Sequence, residues 1–578
     1  MKRKSLERAV FFTVLMMSLH GVTGAAELVT ADNTDKDVSV NQESIISVDD
    51  GNSNGLQAIN NGSISVIGNG KLTIQKNKYG DAIAVGTNTY KDDAGSKGIL
   101  TINDGVQLIV NMNVDSAYNK NVSGIHLTGN SSEISIGNSG LKIDMTVTDN
   151  NTSYIRGINQ ENGMLTANGF VDIDIKGSTK TYVTAIDLHK KHDNPTILNL
   201  NKGADITIEG NASETASAVG IYSLSGAQLK ATDKVTLNIS NASKNYGVIV
   251  GHTDVDSSKE NLHLNNLEAT ISGGNENLGI QVHGGLAVVE NANITAMGGS
   301  ERNAGIWTWS KNGYVGAVEL GNGIIEVTGG KRVYGLQAQQ NSTIEANGII
   351  SVTAKDASEY NYGILSEASS VDMNGAITTV IAQNGKYNYA VFASSNGSFT
   401  SDNLLQVKAE NGTNGNYAIY ANGGKISVAD AIINASGKNA FGVVSKTVGG
   451  TASDVTFNGT ANIEAGIAAR ANGADSVVTF KNGFTAGTLS ATQLQAMAGG
   501  LITVNSSGNG IVNYNGVTHM EIGNGSAVDM NLNNKESYWN LTGSSELRDL
   551  NVSNNALLDM TKDSAANSIL YVTGDMSG

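Results

Sequence analysis

The sequence has no cysteine and only one proline among its 578 residues. Without cysteine the chain forms no disulfide bonds, so a scaffold held by cross-links is excluded and stability must come from burial of apolar surface. The near absence of proline, together with the lack of glycine at every third position, excludes a collagen-like triple helix. The chain is also far longer than one compact core usually holds.

Aromatic and charged residues are scarce as well. Aromatic residues make up 5% of the chain and charged residues 16%, whereas 39% is hydrophobic. That apolar fraction gives the chain enough surface to bury, which argues against disorder. Glycine is abundant, at 69 residues, and isoleucine, valine and leucine recur at regular places among glycine, asparagine and serine. This pattern predicts many short strands joined by tight turns.

Positive charge is in deficit, with a formal net charge of −16, yet basic residues gather at the N-terminus. They are Lys2, Arg3, Lys4 and Arg8. An apolar run at 9–19 and small residues at 24–26 follow, and this order predicts an export signal over residues 1–26. The apolar run is too short to span the ~30 Å hydrocarbon layer of a membrane, which disfavours a transmembrane anchor. Cleavage would leave a net charge of about −19, which argues against nucleic acid and anionic membranes as partners.

The most informative pattern is a repeat in which glycine or alanine precedes isoleucine, valine or leucine at intervals of roughly 27 residues. The pairs are Gly55-Leu56, Ala82-Ile83, Gly124-Ile125, Gly157-Ile158, Ala185-Ile186, Gly220-Ile221, Gly247-Val248, Gly279-Ile280, Gly305-Ile306, Gly335-Leu336, Gly363-Ile364, Ala390-Val391, Ala418-Ile419, Gly442-Val443 and Gly466-Ile467. The wide interval between Ile83 and Ile125 predicts either a degenerate repeat or a longer loop.

Each period contains three stretches in which apolar residues alternate with others. In residues 362–382 these stretches fall at 362–366, 371–373 and 377–381, and the next period repeats the pattern. Period-2 alternation predicts strands whose side chains point alternately to opposite faces. Asn-Gly and similar pairs between the stretches supply the positive φ angles that tight turns need.

Three strands in each period, repeated about fifteen times, predict an all-β fold, a right-handed parallel β-helix with three strands per coil. Inward aliphatic side chains would stack into ladders from coil to coil. Leucine-rich repeats have a similar period but need a Leu/Asn framework that is missing here, and an array of β-sandwiches would lack a shared period. The predicted domains are the export signal at 1–26, an N-terminal cap at 27–50, β-helix repeats at 51–535 and a distinct C-terminal segment at 536–578.

The C-terminal segment has a pattern of its own. Its parts are, in order, Trp539-Asn540-Leu541-Thr542, Gly543-Ser544-Ser545, Ala556-Leu557-Leu558-Asp559-Met560 and Ile569-Leu570-Tyr571-Val572-Thr573-Gly574. This order resembles the junction ahead of the membrane barrel in pertactin-like and AIDA-like autotransporters, the proteins of type V secretion. The preceding repeats resemble autotransporter passenger domains in style only. The alternative is that this segment is simply the last turns of a solenoid.

The resemblance implies a surface location and a partner. It implies that the chain passes through the periplasm to the outer membrane, at the cell surface or secreted, and that the junction helps the passenger fold from its C-terminus. It also implies an outer-membrane translocator barrel in the full-length protein. Such a barrel needs many amphipathic strands of ~10 residues, and none follows Gly578. We therefore expect either a fragment of a longer protein or a barrel on a separate chain.

Catalytic motifs are weak, and we expect no enzyme activity, no cofactor and no metal. The segment 51–55 matches the nucleophile-elbow pattern, but that elbow needs a strand before it and a helix after it, whereas an Asn/Gly loop precedes a strand here. His189 and His192 lack a His-Glu-x-x-His context, and aspartate-rich calcium-binding nonapeptides are missing. Asp172 and Asp174 alternate with apolar residues, as on a solvated face, although glycosidases use paired carboxylates.

One outward column is a candidate binding face. If the repeat aliphatics point inward, the residue after each must point outward. This column reads Gln57, His126, Asn159, Asp187, Tyr222, Ile249, Gln281, Trp307, Gln337, Leu365, Phe392, Tyr420 and Val444, with the irregular positions after 83 and 467 left out. Trp309 shares the outward side with Trp307, and the preceding outward residue is glycine or alanine in every coil, so no large neighbour should cover the rings from that side. The candidate binding residues are Tyr222, Trp307, Trp309, Phe392 and Tyr420.

Exposed aromatic rings in a row suit sugar rings or the apolar face of another protein. The alternative is that aromatic residues favour strands and fill space between coils. A second stripe of tyrosines lies two positions before the repeat aliphatic and comprises Tyr246, Tyr334, Tyr362, Tyr389 and Tyr417. By parity these rings face inward or lie at a corner, so we expect them to stack rather than to bind.

These patterns lead us to expect an adhesin or a self-associating surface protein that supports aggregation, biofilm formation or virulence. The expected partners are a protein or glycan on a host or neighbouring cell, or a second copy of the chain, and no nucleic acid. Two alternatives stay open. One is a polysaccharide-acting enzyme, a lyase or glycosidase, on the same fold, and the other is an inert stalk that holds up a functional domain.

Overall fold

The structure, a computed structural model, is an all-β parallel solenoid of about 18 turns. It describes residues 16–18, 28–50, 53–86, 97–114, 121–129, 131–148, 154–177, 182–190, 195–211, 215–224, 226–251, 260–562 and 568–578. No α-helix occurs in these residues, and the predicted fold class is confirmed. The predicted export signal lies outside the described residues except for the strand Met16–Ser18.

Packing separates the chain into two compact units, and the first comprises Met1–Asp205 with Ala227–Asp233. Its strands are Met16–Ser18, Val29–Asp32, Asp35–Val40, Glu43–Val48, Leu56–Ile59, Gly62–Gly68, Gly70–Lys76, Gly80–Gly86, Gly98–Ile102, Val106–Val114, Asn121–Leu127, Glu133–Ile136, Leu141–Val147, Tyr154–Gln160, Gly163–Ala167, Val171–Gly177, Tyr182–His189 and Thr196–Leu200. Two further strands, Ala204–Glu209 and Gln228–Ser240, contain residues of both units.

The second unit comprises Ile206–Gly226 with Lys234–Gly578. Its strands are Ser217–Leu224, Lys244–Gly251, Glu260–Ser272, Glu276–His283, Gly285–Met297, Arg302–Trp309, Gly316–Thr328, Arg332–Gln339, Thr343–Ala346, Ile350–Lys355, Tyr360–Glu367, Ser370–Met373, Ile377–Gln383, Tyr387–Ser394, Ser398–Glu410, Gly415–Asn422, Lys425–Ala435, Ala440–Lys446, Ser453–Phe457, Thr460–Glu464, Ile467–Asn472, Ser476–Phe480, Gly483–Ala486, Thr492–Met497, Leu501–Val504, Val512–Met520, Ala527–Leu532, Tyr538–Leu541, Ser545–Leu547, Asp549–Val552, Leu557–Asp559, Leu570–Val572 and Met576–Ser577. A 3-10 turn at Met560–Lys562 follows the strand Leu557–Asp559.

In the first unit each turn of the solenoid contains three strands, as the sequence predicts. Val106–Val114 pairs in parallel with Gly70–Lys76 one turn before it and with Leu141–Val147 one turn after it. Two strands, Asn121–Leu127 and Glu133–Ile136, lie between it and that next partner along the chain. Each backbone strand is therefore hydrogen-bonded to the turns on either side of it.

In the second unit two strands of a turn can merge into one strand of 13 residues. Glu260–Ser272, Gly285–Met297 and Gly316–Thr328 pair with one another in succession. Gly316–Thr328 then pairs with two separate strands of the next turn, Thr343–Ala346 and Ile350–Lys355. A long strand of this kind therefore corresponds to two faces of the turn joined without a break.

Inward aliphatic side chains stack into ladders, and one ladder illustrates the core of the second unit. Val352, Val380, Val407, Ile433 and Ile463 are partners in register on successive strands, and all five are buried. Burial of each such side chain contributes about 1.5–3 kcal/mol relative to leaving it in water. The chain without disulfides is therefore stabilised turn by turn, through contacts between neighbouring repeats.

The small residue of the repeat is required by space. A Cβ built on Gly363 would lie 2.3 Å from Cγ1 of Val380 and 2.6 Å from the carbonyl oxygen of Ala390. Gly363 does not have a positive φ, so its backbone conformation makes no demand for glycine. Alanine stands at the equivalent position as Ala390 and Ala418, in register with the repeat. One methyl group is therefore accommodated by a small shift, and a larger side chain is not.

The turns use asparagine at positive φ, as the Asn-Gly pairs predict. Asn384, Asn396 and Asn411 have φ angles of 61°, 64° and 58°. Asparagine tolerates this left-handed region better than other residues with a Cβ. Asparagine therefore serves beside glycine in the connections between strands.

The wide interval in the repeat holds longer connections and no additional coil. Ile83 is the direct partner of Ile125 in the parallel pairing of their strands. A degenerate coil between them would separate these two residues. Parts of the connections, 87–96 and 115–120, lie outside the described residues. The prediction of a longer loop is the one that this pairing supports.

The last predicted repeat is shifted. Val443 pairs with Ala469, whereas Ile467 is the partner of Phe441. The expectation that Gly466-Ile467 continues the column of inward aliphatics was therefore wrong by two residues. Ala469 takes the inward place, where it is fully buried.

The segment predicted as an N-terminal cap forms a three-strand turn of the solenoid. Val29–Asp32, Asp35–Val40 and Glu43–Val48 pair in parallel with the three strands that begin at Leu56, Gly62 and Gly70. The same three-strand pattern therefore begins by residue 29.

Trp539 anchors the C-terminal segment. Its side chain is fully buried, Nε1 donates to the carbonyl oxygen of Gly516 at 3.0 Å, and its ring stacks on Tyr514 with centroids 5.7 Å apart. Beyond this tryptophan several apolar side chains are more than half exposed, namely Leu557, Ile569, Tyr571 and Met576. Trp539 therefore lies in the core, as do Leu541, Leu547 and Leu550, whereas these four later side chains do not.

Candidate functional site

Three outward columns of side chains cover one face of the second unit. They arise because each strand of this face carries two outward residues after the inward repeat aliphatic and one before the small residue. The first column contains Tyr246, Leu278, Ala304, Tyr334, Tyr362, Tyr389, Tyr417 and Phe441. The second contains Tyr222, Ile249, Gln281, Trp307, Gln337, Leu365, Phe392, Tyr420 and Val444. The third contains Gly251, His283, Trp309, Gln339, Glu367, Ser394, Asn422 and Lys446.

The second column lies where the sequence places it. Ile364, Val391 and Ile419 are fully buried partners in register, and the residue after each is more exposed than it. The structure therefore places Phe392 and Tyr420 side by side in one column, with ring centroids 5.2 Å apart. Tyr222, Trp307 and Trp309 belong to the same outward face and are also partly buried.

The tyrosine stripe of the first column stacks as expected but does not face the interior. Ring centroids are 5.2 Å apart for Tyr334 and Tyr362, 5.2 Å for Tyr362 and Tyr389, and 4.9 Å for Tyr389 and Tyr417. The residue before Tyr389, Asn388, is fully buried, whereas Tyr389 is partly exposed. Of the two positions that parity allowed, inward or at a corner, the inward one was wrong, because Ala390 and Val391 are both buried and the alternation changes phase there.

Because the alternation changes phase, the tyrosines of the first column cover the neighbouring rings of the second column. Phe392 meets Tyr362 and Tyr389 edge to face, with centroids 5.6 Å and 5.2 Å away. Tyr420 lies 5.3 Å from Tyr417. The expectation that no large neighbour would cover Phe392 and Tyr420 was therefore wrong. These rings belong to a packed layer outside the core, and only part of each is open to solvent.

The two tryptophans sit at the N-terminal end of this layer. Their ring centroids are 4.3 Å apart, and the ring of Trp309 stacks on His283 at 5.1 Å. The guanidinium of Arg302 lies 4.4 Å from the Trp307 ring, a cation–π contact. Nε1 of Trp307 donates to Oε1 of Gln339 at 3.1 Å. Both rings are therefore held in fixed orientations before any partner arrives.

We call the layer the aromatic strip. It consists of Trp307, Trp309, Tyr334, Tyr362, Leu365, Tyr389, Phe392, Tyr417, Tyr420 and Phe441. At its far end the guanidinium of Arg470 lies 4.5 Å from the Phe441 ring. An arginine thus flanks the strip at each end, and the middle is apolar.

The strip carries no charge of its own at neutral pH. Burial raises the pKa values of the Tyr362 and Tyr389 hydroxyls well above their usual range. Burial likewise raises the pKa of Tyr420 to about 12, and the neighbouring Tyr417 adds to this. The hydroxyls therefore stay protonated and can donate as well as accept hydrogen bonds. Because the tyrosine rings stack face to face, a partner can reach only their edges and hydroxyls.

The other sequence candidates have ordinary structural surroundings. Ser53 of the segment 51–55 donates to the Asp50 carboxylate at 2.8 Å, and the next element is a strand that begins at Leu56. Nζ of Lys142 lies 3.3 Å from the Asp172 carboxylate. His189 ends a strand, and His192 lies outside the described residues.

Asp174, the second acid of the sequence pair, has a lysine as its ionic neighbour. Its carboxylate lies 3.9 Å from Nζ of Lys176. In the described part of the chain no group of three or more histidine, aspartate or glutamate side chains is arranged to hold a metal ion. Within the same part, no helix is long and apolar enough to cross a membrane.

No protein-family model matches this chain, and comparisons with curated proteins and with solved structures find no match.

Proposed function

We propose that this chain is the passenger domain of an autotransporter and that it acts at the cell surface as an adhesin or a self-associating protein through the aromatic strip. The observation that carries the adhesive role is the strip itself, a contiguous row of partly exposed rings on the outside of the second unit. Contiguous apolar surface on the outside of a soluble protein is typical of an interaction site.

The partner that fits the strip best is an apolar protein surface. The faces of the tyrosine rings are used in stacking, so a sugar ring finds few free faces to lie on. Ring edges and neutral hydroxyls of the partly exposed rings remain for contact. The guanidinium groups of Arg302 and Arg470 at the two ends would favour a partner with acidic residues around its apolar centre. A second copy of the chain is one candidate, because its acidic residues outnumber its basic ones and its net charge is −16.

The surface location rests on the sequence. The N-terminal export pattern and the C-terminal segment that resembles the autotransporter junction both support it. A solenoid of about 18 turns with no cysteine is consistent with export across two membranes, because its stability needs no cross-links.

The test compares beads coated with the purified chain. Beads that carry the unaltered chain should bind cultured epithelial cells or other bacteria, or should clump with one another if the chain self-associates. The triple variant Trp307→Ser, Phe392→Ser, Tyr420→Ser removes three rings from the strip and should abolish both kinds of contact. Adhesion equal to that of the unaltered chain would refute the role of the strip.

A matched control separates loss of contact from loss of stability. Phe392 and Tyr420 pack against tyrosines, so their replacement also lowers the free energy of unfolding by about 1–3 kcal/mol each. The control is the triple variant Val352→Ala, Val380→Ala, Val407→Ala. It leaves cavities in the core of three neighbouring turns and keeps every residue of the strip. It should be destabilised to a similar degree and still adhere. Equal loss of adhesion in both variants would argue against the proposal.

A further inference from the structure

The outward face of the first unit carries charged and polar residues where the second unit carries the aromatic strip. One column of partners in register is Asp81, Ser123, Arg156 and Thr184. The column beside it is Ala84, His126, Asn159 and Asp187. The two columns occupy the places that tyrosines and Phe392 occupy in the repeats of the second unit. We call these residues, with Glu161 and His189 at their edge, the polar cluster.

The charges of the polar cluster are paired with one another. Nδ1 of His126 lies 2.9 Å from the Asp81 carboxylate. Nε of Arg156 lies 2.5 Å from Asp187, whose other carboxylate oxygen is 3.0 Å from Nε2 of His189. Burial by itself would lower the pKa of His126, but the carboxylates of Asp81 and Glu161 raise it to about 10. His126 is therefore protonated at neutral pH, and both of its ring nitrogens are donors.

Apart from Oδ1 of Asp187, which is ion-paired with His189, three buried polar groups inside the cluster have no hydrogen-bond partner among the described residues. They are Nε2 of His126, Oγ of Ser123 and Oδ1 of Asn159. The side chains of Ser123 and Asn159 are 1% and 4% exposed. Nε2 of His126 is 3.8 Å from Glu161, which is too long for a hydrogen bond. Such groups cost free energy when they are left unpaired, so three of them together indicate a place where something else binds.

The unpaired groups belong to residues that are in register with the charged residues of the cluster. Ser123 lies in register between Asp81 and Arg156, and Asn159 lies in register between His126 and Asp187. Adjacent strands are about 4.8 Å apart, which brings His126 and its partner Asn159 within reach of one sugar ring. Ser123 lies three residues from His126, roughly 10 Å along the same strand, so a ligand that contacts all three residues extends over about two sugar units. The unpaired set contains a donor on His126, an acceptor on Asn159 and a hydroxyl on Ser123 that can do either.

We propose that the polar cluster is a saccharide-binding site. A sugar hydroxyl both donates and accepts, so vicinal hydroxyls satisfy a mixed set of unpaired groups. An ammonium group would satisfy only the acceptors, and a carboxylate would satisfy only the donors.

A pair of exposed tyrosines beside the cluster supports a sugar as the ligand. Tyr154 and Tyr182 stack with centroids 6.1 Å apart and are 38% and 48% exposed. The guanidinium of Arg156 lies 4.6 Å from the Tyr154 ring, which joins this pair to the charged residues. Aromatic rings next to dense hydrogen-bonding groups suit the apolar and hydroxylated sides of one sugar. The site is independent of the aromatic strip and of the role proposed for it.

The test uses the purified chain and a panel of defined sugars. The panel contains glucose, galactose, mannose, N-acetylglucosamine and short oligosaccharides of each, and binding is measured by saturation-transfer NMR and titration calorimetry. At least one neutral sugar should bind, and it should raise the unfolding temperature of the chain. If no sugar in the panel binds, the three groups hold water only and the proposal is overturned.

The decisive variant is Ser123→Ala. Because Oγ of Ser123 has no partner in the described residues, its removal should not lower the urea midpoint of the sugar-free chain, while it weakens sugar binding about tenfold, the loss of one hydrogen bond. His126→Gln should weaken binding as well. Ser135→Ala, on another strand of the same unit, is the matched control and should bind sugar normally. Unchanged affinity in Ser123→Ala and His126→Gln would overturn the proposal even if a sugar binds elsewhere.

Failure of the saccharide proposal can be told apart from failure of the adhesive role of the strip. The triple variant of the strip keeps the polar cluster intact, so it should still bind the sugar. Ser123→Ala keeps the strip intact, so its beads should still adhere through protein contacts.

Discussion

Asn361 donates a hydrogen bond from Nδ2 to Oδ1 of Asn388 at 2.8 Å, and both side chains are fully buried. Asn388 donates in turn to Asn416 at 2.9 Å and to the carbonyl oxygen of Glu410 at 2.7 Å. Oδ1 of Asn388 also accepts a hydrogen bond from the backbone N–H of Gly385, three residues earlier, in the connection that precedes its strand. Buried asparagines thus form a ladder that ties each turn to the next where the core meets the connections.

Asn388→Ala should destabilise the chain strongly. The change removes four hydrogen bonds and leaves one N–H of the Asn361 amide and the backbone N–H of Gly385 without their partner, so we expect a loss of about 2–4 kcal/mol. Urea unfolding followed by circular dichroism measures this. Asn374→Ala is the control, because Asn374 forms an exposed ladder with Asn347, and it should cost less than about 0.5 kcal/mol. Equal losses in the two variants would contradict the importance of burial.

Val333→Asn should be tolerated. Val333 stands in register between Asn303 and Asn361, where it interrupts two asparagine ladders. An asparagine there would find partners on both sides, so the cost should stay below about 1 kcal/mol. Val352→Asn is the comparison, since Val352 is fully buried among aliphatic partners and its amide would be unpaired, at a cost of about 2 kcal/mol or more. The same urea experiment ranks the two, and a reversed order would refute the ladder interpretation.

Protonated His126 should stabilise the first unit in a pH-dependent way. Its pKa of about 10 in the folded chain lies above the unfolded value of 6.5. The stabilisation is therefore complete below pH 6.5 and is lost as the pH rises toward 10. The difference in urea midpoint between the unaltered chain and His126→Gln should shrink over that range. A difference that grows with pH would contradict the ion pair with Asp81.

His283 should behave in the opposite sense. Burial against Trp309, with a smaller contribution from Lys311, lowers its pKa to about 4. The folded chain therefore favours the neutral ring, and stability is lost as the pH falls from 6.5 toward 4. His283→Phe keeps an aromatic ring but cannot titrate, so it should become more stable than the unaltered chain over this range. Parallel pH curves for the two proteins would show that the stack does not exclude the charged ring.

The sequence predicted the fold well because the fold depends on local periodicity. Alternation with a period of two and the spacing of pairs such as Gly363-Ile364 specify strands, their inward side and their partners one turn away. It did not place Tyr389, for which parity left an inward position and a corner open. The alternation changes phase at Ala390 and Val391, which are both buried, and a fixed parity count cannot include that change. A count that restarts at each Gly or Ala would have placed this tyrosine outward beside Phe392.

Short sequence motifs could not have identified the polar cluster. Asp81, His126 and Arg156 belong to three different turns, and no short pattern in the sequence contains two of them. His126 and Asp187 do occur in the outward column read from the repeat. Only the register between turns brings Asp81 and Arg156 beside them, since the lengths of the intervening loops differ.

Footprinting with hydroxyl radicals tests the adhesive role of the strip most directly. The chain is oxidised free and while bound to the cells or to the second copy that it adheres to, and modified side chains are located by mass spectrometry. We predict that Trp309, Phe392 and Tyr420 become protected on binding, whereas Phe170 and Tyr571, which are about half exposed and far from the strip in sequence, do not. Protection at Phe170 or Tyr571 with none at the strip would contradict the account.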